Sequence, residues 1–199
     1  QILMTDDWVG KVRVDKAKET LSAINPDVEI EAVPEYVTAK NVDPLVQSSD
    51  IALDCAHNFD ERNLLNAACV RWRKPMVEAA MNSMEAYLTT IVPGKTPCLS
   101  CLFPEKPQWD RRGFGVLGIV SGTLACLAAS EAIKQITGFS KPLWSQLLTI
   151  NLDGMEFAKR RPYHDLNCQV CGSLSRELIA DSIGTGNNLT TEVITANSL

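Results

Sequence analysis

The sequence has no basic tract, no apolar run of membrane-spanning length and no internal repeat. Lys and Arg number 19 against 24 Asp and Glu, for a formal net charge of −5. Nucleic-acid binders draw most of their affinity from phosphate neutralisation, so this acidic balance argues against that class. The longest apolar stretch, Gly115 to Ser130, covers sixteen residues, is interrupted by Ser121 and Thr123, and is closed by Glu131. A membrane span needs about 20 apolar residues, so the stretch reads as a buried helix and no membrane partner is expected. No signal-peptide pattern opens the chain, which starts at Gln1 rather than Met, directly before an apolar run; further sequence upstream is expected. The 28 residues after Cys171 hold no aromatic, Pro or Cys. We expect a flexible tail over 173–199, with one short helix near Arg176 to Ile183.

What remains is ordinary globular composition: 199 residues, 45% hydrophobic and 22% charged. That suffices for one domain of about 150 residues plus an appendage, and it excludes global disorder. The domain is placed at 1–172. Seven cysteines are present, and four of them form two C-x-x-C pairs. That is the pattern of a metal site in a reducing compartment rather than of a secreted disulfide framework, so the cytoplasm is the expected location.

Apolar periodicity predicts a helix over Lys11 to Ile24, with Val14, Ala17, Leu21 and Ile24 on one side, stopped by Asn25-Pro26. Val28 to Val33 alternates like a strand. A short helix at Asp43 to Gln47 leads to a strand at Ile51 to Cys55. A helix from Asp60 to Arg73 then shows Leu64, Leu65, Ala68 and Cys69 on one side, and a strand follows at Met76 to Ala80. Further strands are predicted at Glu85 to Val92, Leu147 to Ile150 and Met155 to Phe157, with a long helix from Val116 to Ile136 ended by Gly138. Strands alternating with helices point to an α/β fold whose mostly parallel sheet carries helices on both faces.

Three constellations could carry chemistry. Cys98-x-x-Cys101 and Cys168-x-x-Cys171 together offer the four thiolates of a structural zinc site, with Pro97 and Gly172 suited to the knuckle turns. The 66 residues between the pairs are too many for a zinc finger, so the metal would pin two distant loops together. A redox dithiol is the alternative. Gly113-Phe114-Gly115-Val116-Leu117-Gly118 fits G-x-G-x-x-G, yet Gln108 to Arg112 before it makes no strand, so helix packing explains it better than a dinucleotide loop. The third is Asp54-Cys55-Ala56-His57-Asn58 with Arg62 and Asn66, a strand end running into a helix, where open α/β sheets bind ligands. A solvated strand end with a helix cap fits the bare pattern equally well.

Gln1-Ile2-Leu3, Val9-Gly10 with Arg13 and Ala17, Asp54-Cys55 with Asn58, Arg62 and Asn66, and the two C-x-x-C pairs occur in this order. With Glu131-Ala132-Ile133-Lys134 and Thr137-Gly138, they resemble the ubiquitin-activating-enzyme-like superfamily of ThiF, MoeB and HesA proteins over Gln1 to Gly172. The resemblance implies a Rossmann-like sheet with a zinc-pinned C-terminal half, normally dimeric. It also implies ATP-dependent adenylylation of a carboxylate, usually the C-terminus of a small ubiquitin-like or sulfur-carrier protein, with Mg²⁺ on the phosphates. By that resemblance Gln1, Lys11, Arg13, Asp54, Asn58 and Arg62 would contact the nucleotide, with Arg13 and His57 at catalytic positions.

The departures from the family pattern are specific. The Gly-rich loop and ribose-binding acid of the family lie upstream of Gln1. The usual Lys of G-x-x-K is Arg13, which keeps charge without the compact ammonium; Lys11 would substitute only with the helix start rearranged. The Mg²⁺-binding Asp is His57, a poor ligand for a hard cation and equally readable as a helix-capping or packing residue. The thioester-forming cysteine has no counterpart between Gln108 and Ser121, so chemistry would stop at the adenylate. Arg111 and Arg112 would either clamp phosphates on a crossover loop or form a solvated charged loop. Two other functions fit these departures: a zinc-stabilised scaffold without an ATP site, or activation of a small-molecule carboxylate.

Overall fold

Alternation on either side of Ser83-Met84 organises the sheet of this protein, whose structure is a computed structural model that describes residues 2–106 and 115–184. Strand β2 (Met76–Asn82) turns at Ser83, φ 56°, directly into β3 (Glu85–Ile91), pairing Asn82 with Glu85 and Met76 with Ile91. Strands β4 (Leu147–Asn151) and β5 (Glu156–Arg160) add on β3's far side, and β1 (Ala52–Asp54) lies parallel to β2, giving the order β1-β2-β3-β4-β5.

The α/β class is as expected from the sequence, but the predominance of parallel pairing is not. Among the described residues, three of the four ladders are antiparallel and β1–β2 is parallel. The physical reason is connection length: β2–β3 and β4–β5 are joined by short turns, and parallel neighbours need a crossover of a dozen or more residues.

Helices lie on both faces. Alternate residues Val77, Leu88 and Ile150 point to α5 (Gly118–Thr137), which buries Val120, Leu124, Ala128 and Ala132 at helical spacing to form the main core. Gly138 ends α5 in the left-handed region, φ 68°, its N–H donating to Lys134 O. The buried Glu131 fixes this helix to the sheet: its carboxylate accepts from Thr90 Oγ1 at 2.8 Å, from the Leu143 N–H at 2.6 Å and from Lys134 Nζ at 2.5 Å.

The other face carries α3 (Phe59–Arg71), which follows the short α2 (Val42–Gln47) and β1. Leu64 and Leu65, assigned to the covered side by periodicity, are only half-buried. The buried stripe instead carries Arg62 and Asn66 along with Phe59, Ala68, Cys69 and Val70. Polar side chains can replace apolar ones there because every donor they bury finds an acceptor, as described below. A one-turn helix α4 (Leu99–Leu102) holds the first C-x-x-C pair, and α6 (Gly172–Gly184) begins just after the second. Among the described residues, no helix is long and apolar enough to cross a membrane.

Residues 1–37 and 38–199 are separate compact units. All of the elements above belong to the second. The first contains a 3-10 turn at Asp6–Trp8 and α1 (Arg13–Ile24), and none of its described residues is buried. The alternating Val28 to Val33 forms no ladder: a strand exists only with a partner, and no strand occurs among the described residues of this unit.

Candidate functional site

Strand β1 ends in Asp54, and the chain turns through Cys55, Ala56 and His57 into α3. Asn58 is the helix N-cap, its Oδ1 accepting from the Glu61 N–H at 2.9 Å, and Asp60 and Glu61 complement the dipole in the first turn. Capping therefore falls to Asn58, not to His57. The His57 side chain is largely exposed, with Nδ1 3.8 Å from Glu61 Oε2.

One turn into α3, the buried Arg62 gathers this strand end. Nη1 donates to Asp54 Oδ2 at 2.9 Å, to Glu78 Oε1 at 3.1 Å and to Ala79 O at 3.2 Å, while Nη2 donates to Ala56 O. Asp54 Oδ1 accepts from the Ala56 N–H at 2.8 Å, so both oxygens of this buried carboxylate are engaged. Tyr87 on β3 donates from its hydroxyl to Glu78 Oε1 at 3.0 Å. The other oxygen, Glu78 Oε2, is buried without a hydrogen-bond partner.

Burial, followed by the hydrogen bond and charge of Asp54, pushes the Glu78 carboxyl well above the usual carboxylate range. Glu78 therefore holds its proton more readily than an exposed carboxyl does. Burial works against the charge on Arg62, but Glu78 and Asp54 outweigh it and raise its pKa. Burial, then the Glu78 charge, pushes the Tyr87 phenol up, so it stays a donor.

The second cluster is the cysteine quartet. Cys98, Cys101, Cys168 and Cys171 place their sulfurs within 4.8 Å of one another, an arrangement able to hold a metal ion. Cys98 Sγ lies 3.8 Å from Cys168 Sγ, and Cys101 Sγ lies 3.5 Å from Cys171 Sγ. Tetrahedral zinc with Zn–S about 2.3 Å requires sulfurs about 3.8 Å apart, so the donor set fits. The side chains of Cys101 and then Cys171 lower the Cys98 pKa, whereas contacts with Cys101 and Cys98 raise Cys171. Asn66 holds the first knuckle in place: its Oδ1 accepts from the Leu99 N–H at 3.0 Å and its Nδ2 donates to Ser100 Oγ at 3.4 Å.

In the second knuckle the Gly172 N–H donates to Cys168 O at 2.9 Å. A Cβ on Gly172 would stand 2.4 Å from Leu166 O and 2.9 Å from its carbonyl carbon, and these are backbone atoms that cannot swing aside. Gly172→Ala is therefore expected to cost about 1–3 kcal/mol, read as a lower urea midpoint with unchanged m. An unchanged midpoint would show that the knuckle has slack.

Of the residues picked out by sequence, the structure brings Asp54, His57, Asn58 and Arg62 together at one strand end and the four cysteines at another point. Lys11 and Arg13 lie in the first unit. There the Lys11 ammonium sits over the Trp8 ring, 4.8 Å from its centroid, and Arg13 is exposed at the start of α1. Gln1, Arg111, Arg112 and the start of the Gly113–Gly118 motif lie outside the described residues. Sequence reasoning missed Glu78 and Tyr87; an acid within the apolar Met76–Ala80 strand was the available signal. An open cavity of about 440 Å³ adjoins the cluster, sharing Tyr87 as a wall with Phe103, Asn82, Glu156 and Arg160.

Comparison with known proteins adds four likenesses. The profile of the ThiF family matches residues 1–171. The chain is 72% identical over 192 residues to the heterocyst HesA protein of Trichormus variabilis, covering 96% of this chain and 72% of that one. It is 36% identical to the SAMP-activating enzyme E1 of Haloferax volcanii, covering 91% of this chain and 68% of that one. Among solved structures, E. coli MccB with AMPCPP and MccA superposes with a TM-score of 0.74 at 25% identity, over 86% of this chain. That match covers 54% of MccB, so this chain spans about half of its length.

Proposed function

Because this chain belongs to the ThiF family, we propose that it takes part in ATP-dependent adenylylation of a carboxylate, the C-terminus of a small ubiquitin-like or sulfur-carrier protein. The observation that carries this reading is the strand end at Asp54, clamped by Arg62 so that the Asn58-capped N-terminus of α3 opens there. Helix N-termini favour phosphate oxygens, and open α/β sheets bind ligands at such strand ends. The SAMP-activating relative, and MccB solved with both a nucleotide analogue and MccA, support a site taking a nucleotide beside a second substrate.

In this reading Asp54 and Arg62 are positioning residues, each spent on the other. His57 is the polar side chain left facing solvent beside the Asn58 cap. The carboxylate attacks the α-phosphate and pyrophosphate departs, so fixed positive charge on the phosphates does most of the work. The strand end does not fit Mg²⁺: both Asp54 oxygens are committed, burial disfavours the charged form of Glu78, and His57 offers imidazole to an ion that demands oxygen. The cysteine quartet we assign to structural zinc, because four thiolates leave no open position for chemistry. The outer side of α5, with Ile119, Cys126, Ile133 and Ile136 exposed and no charge among them, is the surface we assign to a second copy of the chain.

The test is ATP–pyrophosphate exchange by the protein, including any sequence upstream of Gln1, with candidate carriers and small carboxylic acids as separate arms. Exchange that depends on a carrier with a free C-terminus is the expected result. Exchange with a small acid alone would move the substrate to that class. ATP binding or exchange in no arm would overturn the enzymatic reading and favour a zinc-stabilised scaffold, the alternative supported by Arg13, His57 and the committed Asp54.

A further inference from the structure

The loop between β5 and α6 supplies more than two cysteines. His164 lies half-buried in it, with Nε2 3.0 Å from Ser175 Oγ and 3.8 Å from Cys171 Sγ. Ser175 is buried on the first turn of α6, and its hydroxyl donates its single proton to Cys171 O at 2.9 Å. A hydroxyl that has given its proton to a carbonyl can only accept from the ring. The proton of the His164 ring therefore sits on Nε2, the nitrogen that lies 3.0 Å from Ser175 Oγ and 3.8 Å from Cys171 Sγ. Cys171 itself is buried, so its sulfur depends on protein donors rather than on water.

We infer that His164 is the outer donor of the cysteine quartet, its Nε2–H shared between Ser175 Oγ and Cys171 Sγ so that it helps to retain the metal. The inference rests on the assignment of zinc to the quartet and goes beyond it. Four thiolates around a divalent cation leave a net charge of −2 in a partly buried place. An N–H directed at one sulfur withdraws electron density from it and makes it a weaker target for protons, oxidants and competing chelators. Donors of this outer kind are typically worth 10–100-fold in metal affinity. The seating is local and ordered: Ser175 lies four residues after Cys171 on the same helical turn, and its backbone N–H also donates to Cys171 O at 3.0 Å. The second knuckle, the start of α6 and the His164 ring therefore form one hydrogen-bonded unit.

The experiment measures transfer of zinc from the loaded full chain to a chromophoric chelator, for wild type, His164→Phe and His164→Gln. Phe keeps a ring in the slot without a donor, and Gln keeps an N–H donor without the ring. His164→Phe is expected to release zinc about 10-fold faster or more, with His164→Gln close to wild type. In the cobalt-substituted protein, the sulfur-to-metal charge-transfer band is expected to move to lower energy in His164→Phe alone. Should His164→Phe fail to fold, Ser175→Ala removes the acceptor that aims the ring and is expected to speed release to a smaller degree. Equal release from wild type and His164→Phe overturns the inference, as does equally fast release from His164→Phe and His164→Gln, which would point to ring packing. A wild type that takes up no metal overturns the zinc assignment and this inference together. A wild type holding one zinc with release indifferent to residue 164 overturns this inference alone.

Discussion

Arg62→Met is expected to destabilise the second unit by about 3–5 kcal/mol, the usual consequence of removing one partner from a buried ion pair. The guanidinium satisfies Asp54, Glu78 and two backbone carbonyls at once, and Met fills similar space while satisfying none of them. Burial already disfavours the charged form of Glu78, so the larger cost falls on Asp54, left buried with the Ala56 N–H as its remaining donor. Thermal unfolding should therefore fall by on the order of 10 °C. Asp54→Asn in the same background removes the stranded charge and should recover a large part of the loss, a coupling that a double-mutant cycle measures. Arg62→Lys should fall between wild type and Met, since one ammonium cannot span four acceptors. If Arg62→Met unfolds at the wild-type temperature, the cluster does not hold the strand end, and the proposed role of α3's N-terminus weakens with it.

Removing a sulfur from the quartet is expected to have an effect of similar size by a different route. Cys98→Ser leaves three thiolates, and the metal then closes the long loop between the two knuckles much less tightly. A cross-link across a loop of this length contributes about 4 kcal/mol through chain entropy alone. Wild type should carry one zinc per chain by elemental analysis and lose thermal stability in excess chelator. Cys98→Ser should carry far less than one and gain nothing from added zinc. A wild type whose unfolding ignores the chelator would mean that Asn66 and the core hold the knuckles unaided.

Much of this architecture was legible in residue order, for identifiable reasons. The spacing Val120, Leu124, Ala128, Ala132 specifies the buried face of α5, and Gly138 ends that helix because it takes φ 68° without strain. The two C-x-x-C pairs announced a shared site because thiolates at that spacing sit on one turn each. What escaped was whatever depends on a partner distant in sequence. The pairing of Ala80 with Tyr87 and of Glu78 with Thr89 follows from a turn at Ser83 that no glycine marks. The burial of Arg62 and Asn66 was not legible because their partners come from other elements, and apolar periodicity cannot register a buried side chain satisfied by hydrogen bonds. Val28 to Val33 shows the converse, an alternation without a ladder.

The two grips of α3 are four residues apart on one helical face. Arg62 holds the strand end and Asn66 holds the first cysteine knuckle. Neither can let go by itself, because a rigid turn joins them: tilting the helix to free one pulls on the other. Breathing motions that uncover Asp54 therefore also loosen Leu99, and the two regions open as one cooperative unit instead of fraying independently.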